Sequence, residues 1–304
     1  MSDEIFEQTF QVSGPAHLTV KNICGSVQVH PGEDGIIQVT ATKRTHTGDE
    51  KHTEVEIKQE SDGTVVAVVR FPDGGWNWLF GSRPCDVDFV VKAPRQCSLK
   101  LSGVSNSVET AGFEGSVSIN TVSGEMTLRD LTGDMRIKAV SGDAEGENLS
   151  GSLDLETVSG DVAFNKSTLS SVKANTVSGD MRLHTALAEG PYSFKSVSGN
   201  VRLIVPPETR CTSELHSVSG DIVSAFPVTS FSRHHGSQTI NVQGGGVKIY
   251  LNSVSGDLSL ECNGEIPQSA DTAKNTSKED RRAVLEKLEH GELTVEEALG
   301  KLNS

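Results

Sequence analysis

A short phrase built around Val-Ser-Gly recurs along the chain and constrains its fold more than any other feature. Seven clear copies occur, for example TVSGDV at residues 157–162 and TVSGDM at residues 176–181. Their serines are 18, 18, 19, 20, 21 and 36 residues apart in sequence order. These serines are Ser123, Ser141, Ser159, Ser178, Ser198, Ser219 and Ser255. A repeat of about 18 residues therefore underlies this part of the chain.

The repeat extends beyond the seven copies. A step of 18 residues back from Ser123 reaches Ser105, and a degenerate copy at Gly236-Ser237 is expected to fill the long last step. We therefore count nine rungs. A second turn signal lies about halfway between successive copies, at Gly115, Gly133, Gly151, Ser171 and Gly190. Each unit is expected to hold two turns and two strands.

Alternating apolar residues predict strands and an inward face. In TVSGDMRL the apolar positions are Val177, Met181 and Leu183, and Val158, Val162 and Phe164 occupy the same places one repeat earlier. This period of two is typical of a half-buried strand. The pattern predicts that the valine of each phrase fills a corner of the core.

Only every second turn carries the phrase, and this distinguishes a solenoid from an antiparallel meander. In a solenoid, like positions stack above one another, so the repeat length equals one coil. The predicted fold is mainly β, a β-solenoid of the β-helix or β-roll type with about 18–20 residues per coil. The glycine is expected where a turn disfavours a β-carbon, and the serine bonds to neighbouring coils or to local backbone.

An acidic residue follows nearly every glycine of the phrase. A solenoid stacks these residues about 4.8 Å apart in a column of carboxylates. Two interpretations remain open: the carboxylates accept hydrogen bonds from turn amides, or the column binds divalent cations through Asp143, Asp161 and Asp180. A third, a carbohydrate-active β-helix protein, would use Asp161, Asp180 and Arg182.

Composition narrows the classes of partner. The chain has 41 acidic and 27 basic residues and a formal net charge of -14, so it repels nucleic acid and anionic membrane surfaces. Five scattered cysteines, none in a CxxC pair, favour reduced buried thiols over disulfides or zinc. The start of the sequence has no basic segment followed by an apolar run, and we expect a cytoplasmic protein.

Residues 1–100 also read as strands and are expected to open the solenoid, while residues 101–263 hold the repeats. NICGSV, at residues 22–27, resembles an early, imperfect copy of the phrase. Both tryptophans, Trp76 and Trp78, lie in the segment FPDGGWNWLFGSRP. We expect this segment to cover the N-terminal end of the solenoid, and contact with a partner or a membrane interface is the alternative.

The periodicity ends near residue 264. Residues 264–276 are predicted to be a linker. Residues 277–304 are predicted to form a small helical hairpin, because a capping-box pattern stands at the start of each of its two helices. The hairpin is too small to bury much surface alone, so we expect its apolar stripe to contact a second protein chain, either another copy or a foreign partner. Docking on its own solenoid, as a cap, is the alternative. This stripe consists of Leu285, Leu288, Leu299 and Leu302.

The [TS]VSGD phrase, the strand-rich first third and the segment VVKAPRQCSLKL resemble the bacterial β-strand-repeat family of unknown function often called "putative adhesin". The segment VLEKLEHGELTVEEALGKL resembles the SHOCT-like helical hairpin. The resemblance implies a β-solenoid and a role connected with cell-envelope stress or surface interactions. It supplies no catalytic residues.

No catalytic motif stands out in the sequence. There is no GxSxG elbow, HExxH pair or phosphate-binding glycine loop, and the nine histidines show no ligand spacing. We therefore expect a non-enzymatic scaffold or interaction protein without a cofactor. The cation-binding and carbohydrate-active interpretations remain the alternatives.

Overall fold

The computed structural model describes residues 3–71, 83–226, 231–234 and 237–264. The chain divides into two units, Met1–Glu265 and Ile266–Ser304, and every described residue belongs to the first. Several predictions lie outside the described residues. They concern the tryptophan segment with Trp76 and Trp78, the linker after residue 264, and the hairpin with Leu285, Leu288, Leu299 and Leu302.

The described residues are mainly β and contain no helix, and their strands form one continuous sheet. The strands of the first third are β1 (Glu4–Gln11), β2 (Ala16–Pro31), β3 (Ile36–Arg44), β4 (Glu54–Gln59), β5 (Val65–Arg70) and β6 (Asp86–Ala93). Those that follow as far as residue 187 are β7 (Cys97–Ala111), β8 (Val117–Ser123), β9 (Met126–Arg129), β10 (Thr132–Ser141), β11 (Ala144–Glu147), β12 (Ser150–Ser159), β13 (Val162–Ser178) and β14 (Met181–Leu187). The remaining strands are β15 (Tyr192–Ser198), β16 (Val201–Val205), β17 (Cys211–Ser219), β18 (Ile222–Ser224), β19 (Phe231–His234), β20 (Ser237–Val242), β21 (Val247–Ser255) and β22 (Leu258–Cys262).

Parallel pairing in the predicted register makes the fold solenoid-like. The strand that precedes each Ser-Gly turn pairs with its counterpart one repeat away, so Ser141 lies opposite both Ser123 and Ser159. The shorter strand after the turn does the same, as Ala144 lies opposite Met126 and Val162. The prediction of a mainly β fold built from stacked coils of about 18 residues is therefore confirmed.

The stack begins before the repeats. Strand β2 pairs in parallel with β7, and this pairing places Cys24 opposite Ser105. The glycine after Cys24 has a φ of +109°, and the glycines of the later phrases also have positive φ. The predictions that NICGSV is an early copy and that Ser105 marks a rung are both confirmed.

The last two copies of the phrase stack in reverse order. Strand β21 lies between β15 and β17, so Ser255 pairs with Ser198 on one side and with Ser219 on the other. The predicted rung at Gly236-Ser237 is wrong, because Ser237 begins β20, which pairs antiparallel with β17. Gly236 lies outside the described residues. The 36-residue step instead contains the hairpin of β19 and β20.

The core is formed by one residue in two along each strand. Met181 and Leu183 are buried, as are Val162 and Phe164 one coil earlier, in agreement with the alternation in the sequence. The valine of the phrase, however, points outward: Val158 and Val177 are each 47% exposed. The prediction that this valine fills a corner of the core is wrong.

The physical reason lies in the turn itself. In the seven clear copies the residue before the valine is small and points inward, and in six of them it carries a hydroxyl, for example Thr157 or Thr176, both of which are buried. The valine therefore takes the outward position, and the Ser-Gly-Asp turn resets the alternation so that Met181 again faces inward. The inward threonine hydroxyl donates to the carbonyl of the serine two residues on, as Thr176 does to Ser178 at 3.3 Å.

The outward valines stack on one another. Along the column they are 47% to 52% exposed, except Val218, which is 70% exposed and, among the described residues, has Val254 as its single neighbour in the column. Val218 is thus roughly a fifth more exposed than the valines that have a described neighbour in the column on both sides. The valine recurs because each copy is covered by those above and below it, which a β-branched residue does well. The column consists of Val104, Val122, Val140, Val158, Val177, Val197, Val254 and Val218.

The glycine of each phrase is required twice over. Gly160 has a φ of +122°, and a β-carbon there would lie 2.3 Å from the carbonyl oxygen of Gly142 in the adjacent coil. Gly179 repeats this arrangement against the carbonyl of Gly160, at 2.2 Å. The turn conformation and the close approach of the next coil both exclude a side chain.

Short extra strands line the N-terminal side of the stack. Strands β5 and β6 pair in parallel with β2, and they in turn pair antiparallel with β4 and β3. Strand β1 pairs antiparallel with β3. The outer strands are rich in charge: Lys43 pairs with Glu4, and Lys58 contacts both Glu56 and Glu60. Charged edge strands of this kind oppose further pairing with other chains.

We predict that Gly160→Ala destabilises the protein far more than Gly63→Ala. Both glycines have positive φ, but a β-carbon at Gly63 would meet nothing within 4 Å. The Gly63 variant should lose about 1–2 kcal/mol from backbone strain alone. The Gly160 variant should lose at least about 3 kcal/mol, because a carbonyl must also move. Thermal unfolding followed by circular dichroism measures both; equal losses would contradict close stacking at this turn.

Candidate functional site

The corner formed by the phrase presents two parallel columns to solvent. The first is the valine ladder, defined as the eight outward valines from Val104 to Val218. The second is the acid column, formed by the residue that follows each glycine. In spatial order its members are Glu125, Asp143, Asp161, Asp180, Asn200, Asp257 and Asp221. All seven are exposed.

Each carboxylate in the middle of the acid column accepts a hydrogen bond from the next coil. The backbone N–H of Asp161 donates to Oδ1 of Asp143 at 2.8 Å, and that of Asp180 donates to Oδ1 of Asp161 at 2.8 Å. The series continues through the amide of Asn200, whose side-chain oxygen accepts from Asp257 at 2.9 Å. The side chains thus link coil to coil, which offsets the repulsion of about 1 kcal/mol between neighbouring charges in water.

The acid column has the ligand type but not the geometry of a metal centre. The described residues include no group of three or more His, Cys, Asp or Glu side chains arranged to hold a metal ion. Asp143, Asp161 and Asp180 do follow one another in the column, as the stacking predicted. One oxygen of Asp143 and one of Asp161 are engaged by a backbone amide, so cation binding would have to use the other oxygens. This binding stays a prediction.

A third column borders the valine ladder on its other side. It consists of the outward residues two positions before each of the seven valines other than Val104, and we call it the donor column. Ion pairs hold its member Glu156 in place: Lys138 Nζ lies 2.5 Å from Glu156 Oε2, and Lys173 Nζ lies 3.7 Å from Glu156 Oε1. The hydrogen bond from Lys138 holds the pKa of Glu156 below its usual value. In spatial order the donor column is Asn120, Lys138, Glu156, Asn175, Lys195, Asn252 and His216.

The shorter strands carry a polar groove of about 670 Å³ on their outer face. Part of its charged lining is paired: Lys166 Nζ lies 2.6 Å from Glu147 Oε1, and Arg129 lies 3.7 Å from Glu109 on the neighbouring strand β7. At one end His184 Nε2 lies 2.8 Å from Asn263 Nδ2. The carbohydrate-active alternative also uses Arg182, which lies on β14 two residues after Asp180 of the acid column. Arg182 does not line the groove.

The cysteines are structural in their surroundings. All five are free, and Cys85, Cys97 and Cys211 are buried, which confirms the prediction of free thiols for the chain and of burial for these three. Cys24 and Cys262 are only half-buried. Burial raises the pKa of Cys97 to about 12, and it also raises the pKa of Cys211. These two thiols stay protonated at neutral pH and are poor nucleophiles.

The sequence placed the acidic residues in one column but assigned the valines to the wrong face. The signal that could have corrected this is the residue before the valine, which is Thr, Ser or Ala in the seven clear copies. Small hydroxyl side chains suit a crowded inner corner, and strand alternation then sends the valine outward. Among the described residues there is no helix of the length and apolarity that a bilayer crossing requires.

Comparison with known proteins gave a family match and several structural neighbours. The family model described as Toastrack DUF4097 matches residues 16–261. No curated protein sequence is significantly similar to the chain.

Three of the structural neighbours come from species of Bacteroides and Parabacteroides. A "putative adhesin" from Bacteroides fragilis is 10% identical, with 85% of this chain and 98% of that chain covered and a TM-score of 0.49. A "putative adhesin" from Parabacteroides merdae is 11% identical, with coverages of 86% and 97% and a TM-score of 0.46. A "putative lipid binding protein" from Parabacteroides distasonis is 12% identical, with coverages of 86% and 95% and a TM-score of 0.35.

We predict that Asp161→Ala destabilises the protein while Asp161→Asn does not. Alanine removes the acceptor for the backbone N–H of Asp180, at a cost of about 1 kcal/mol or a fall of about 2–4 °C in melting temperature. Asparagine keeps an acceptor oxygen, and Asn200 already fills this role in the same column. Differential scanning calorimetry measures both variants. Equal melting temperatures for the two variants would contradict the coil-to-coil bond.

We also predict that millimolar calcium leaves the melting temperature of the full chain nearly unchanged. A ligand raises stability only by binding the folded state, and the engaged oxygens of Asp143 and Asp161 are not free to coordinate it. Magnesium at the same concentration controls for ionic effects. A calcium-specific rise of many degrees, lost when Asp143, Asp161 and Asp180 are all changed to Asn, would instead establish a cation ladder.

Proposed function

The chain belongs to the Toastrack DUF4097 family, and from this premise we propose that it is a non-enzymatic scaffold that presents a rigid, repetitive surface to a partner protein. The proposal includes a cytoplasmic location and a connection with envelope stress or surface interactions. Residues 277–304 would contact the partner, while the segment with Trp76 and Trp78 would cover the N-terminal end of the stack.

One observation carries this proposal: outward polar groups of one coil bond to the neighbouring coils. The amide ladder of the acid column joins one coil to the next. Ion pairs such as Arg136 with Asp154 and Arg202 with Glu261 cross between neighbouring strands. An assembly cross-linked in this way is stiff, and stiffness suits a surface on which another protein must dock without reordering it.

A second candidate function, binding of a divalent cation or a carbohydrate, is favoured by the outer oxygens of the acid column and by the polar groove. Both surfaces carry hydrogen-bonding groups at regular spacing. The groove lining includes Glu145 and His184 but, among the described residues, no Trp, Tyr or Phe ring on which a sugar could stack. The protein-scaffold proposal therefore has the stronger support of the two.

We predict that deletion of residues 277–304 leaves the solenoid folded and abolishes capture of a partner. The experiment is an affinity pull-down from cells of the source organism, with the full chain and the deletion variant as baits in parallel. Circular dichroism and the melting temperature show whether the deletion variant keeps its β structure.

A matched control keeps the segment but changes its apolar stripe, with Leu285, Leu288, Leu299 and Leu302 replaced by serine. The control should lose the same partner as the deletion variant. Early melting or aggregation of the deletion variant, together with a full chain that captures nothing, would contradict the proposal and assign the segment a purely internal role.

A further inference from the structure

We propose that the valine ladder is an interface between two copies of this chain, which pair face to face about a two-fold axis that runs along the ladder. This goes beyond the proposed scaffold function, because it rests on described residues of the solenoid and not on residues 277–304. It also assigns a role to the longest row of exposed apolar side chains on the described part of the chain.

The ladder is an unusual surface for a single copy to expose. Eight valines, each about half exposed or more, follow one another in neighbouring coils without interruption. Seven steps of about 4.8 Å make a strip about 34 Å long. Contiguous apolar strips of this size commonly mark sites of protein contact. Self-stacking covers half of each valine and leaves the other half for a second surface.

The two flanks of the ladder differ in charge, and this difference selects the second copy as the occupant. The acid column holds six carboxylates on one flank, and the donor column holds only Glu156 as an acid on the other. A two-fold axis along the ladder places valine on valine at each height. It also places the acid column of one copy against the donor column of the other.

The pairs produced by this symmetry are chemically matched. Asp143 of one copy faces Lys138 of the other, and Asp180 faces Asn175, because these residues belong to the same coil. By the same rule Glu125 faces Asn120, Asp257 faces Asn252, and Asp221 faces His216. Five of the six acidic residues therefore meet a side chain that can donate a hydrogen bond.

The exception is Asp161, which faces Glu156. In its own chain that glutamate already contacts Lys138 and Lys173, which neutralise it locally. The alternative axis, perpendicular to the ladder, would place acid column against acid column and is disfavoured by like-charge repulsion. The sequence thus specifies one of the two face-to-face arrangements.

The size of the face is sufficient for a stable pair. The acid, valine and donor columns together are about 20 Å wide, since alternate residues of a strand are about 7 Å apart. Over a length of about 34 Å this gives roughly 700 Å² per copy, close to the roughly 800 Å² per partner of a standard interface.

The first test measures the mass of the full chain by light scattering across a dilution series. Wild type is expected to be a dimer that dissociates on dilution, and Val158→Asp should weaken dimerisation at least about 100-fold, because two unpaired carboxylates then meet at the axis. Val90→Asp is the matched control, because Val90 is 39% exposed on β6, away from the ladder. That variant should dimerise like wild type.

Circular dichroism decides whether the variants are folded. Both valines are exposed, so both variants should melt close to wild type. A wild-type chain that is monomeric at every concentration would overturn the proposal. So would a dimer that tolerates Val158→Asp, since that dimer must use another surface, such as residues 277–304. Partner capture in the pull-down should survive Val158→Asp, so the two proposals can fail separately.

A second test does not disturb the valines. Asn175→Asp places two carboxylates opposite each other and should weaken dimerisation several-fold. The double variant N175D/D180N has the same net charge as wild type and again pairs an amide with a carboxylate, so it should restore dimerisation. Asparagine is tolerated in the acid column, as Asn200 shows. No rescue by the double variant would contradict the proposed two-fold axis.

Discussion

The approach of one coil's turn carbonyl to the glycine of the next coil governs the whole solenoid. At Gly142, Gly160 and Gly179 a β-carbon would lie only 2.1–2.3 Å from the carbonyl oxygen of the adjacent coil. Coils can stack at strand spacing around this corner only if no side chain intervenes. Once the glycines align, the serine, valine and acidic residues beside them also align. The ladders of the surface are therefore consequences of backbone packing at a single position.

The repeat length was enough to predict the parallel stack, because identical residues at a fixed period can share one environment only if they stack. The direction of the valine could not be predicted in the same way. A strand period of two sends residues to opposite faces, but a turn of three residues resets that period. The apolar character of Val177 favours the core, whereas the inward position of Thr176 sends the valine outward. Local apolarity is a weaker guide than position relative to the turn.

The acid column was predicted as a column, and its hydrogen bonds to the next coil follow from the same stacking. The order of the last coils could not be predicted, because every copy of the phrase presents the same pairing groups and so fits any neighbour. Strand β21 pairs with β15 and β17 equally well by pattern. The choice depends on the β19–β20 hairpin, whose antiparallel pairing with β17 leaves only the other side of β17 for β21.

The insertion of residues 247–262 between two coils that precede them has a consequence for synthesis on the ribosome. Strand β17 emerges earlier than β21, yet it cannot reach its final neighbour until β21 has been made. A nascent chain can complete coils in order only as far as β16. From there, residues 211–224 must either wait or pair with β15 and β16 in the slot that β21 and β22 later occupy. Vectorial folding therefore stops two coils short of the end, and these final coils form only when synthesis has passed residue 262.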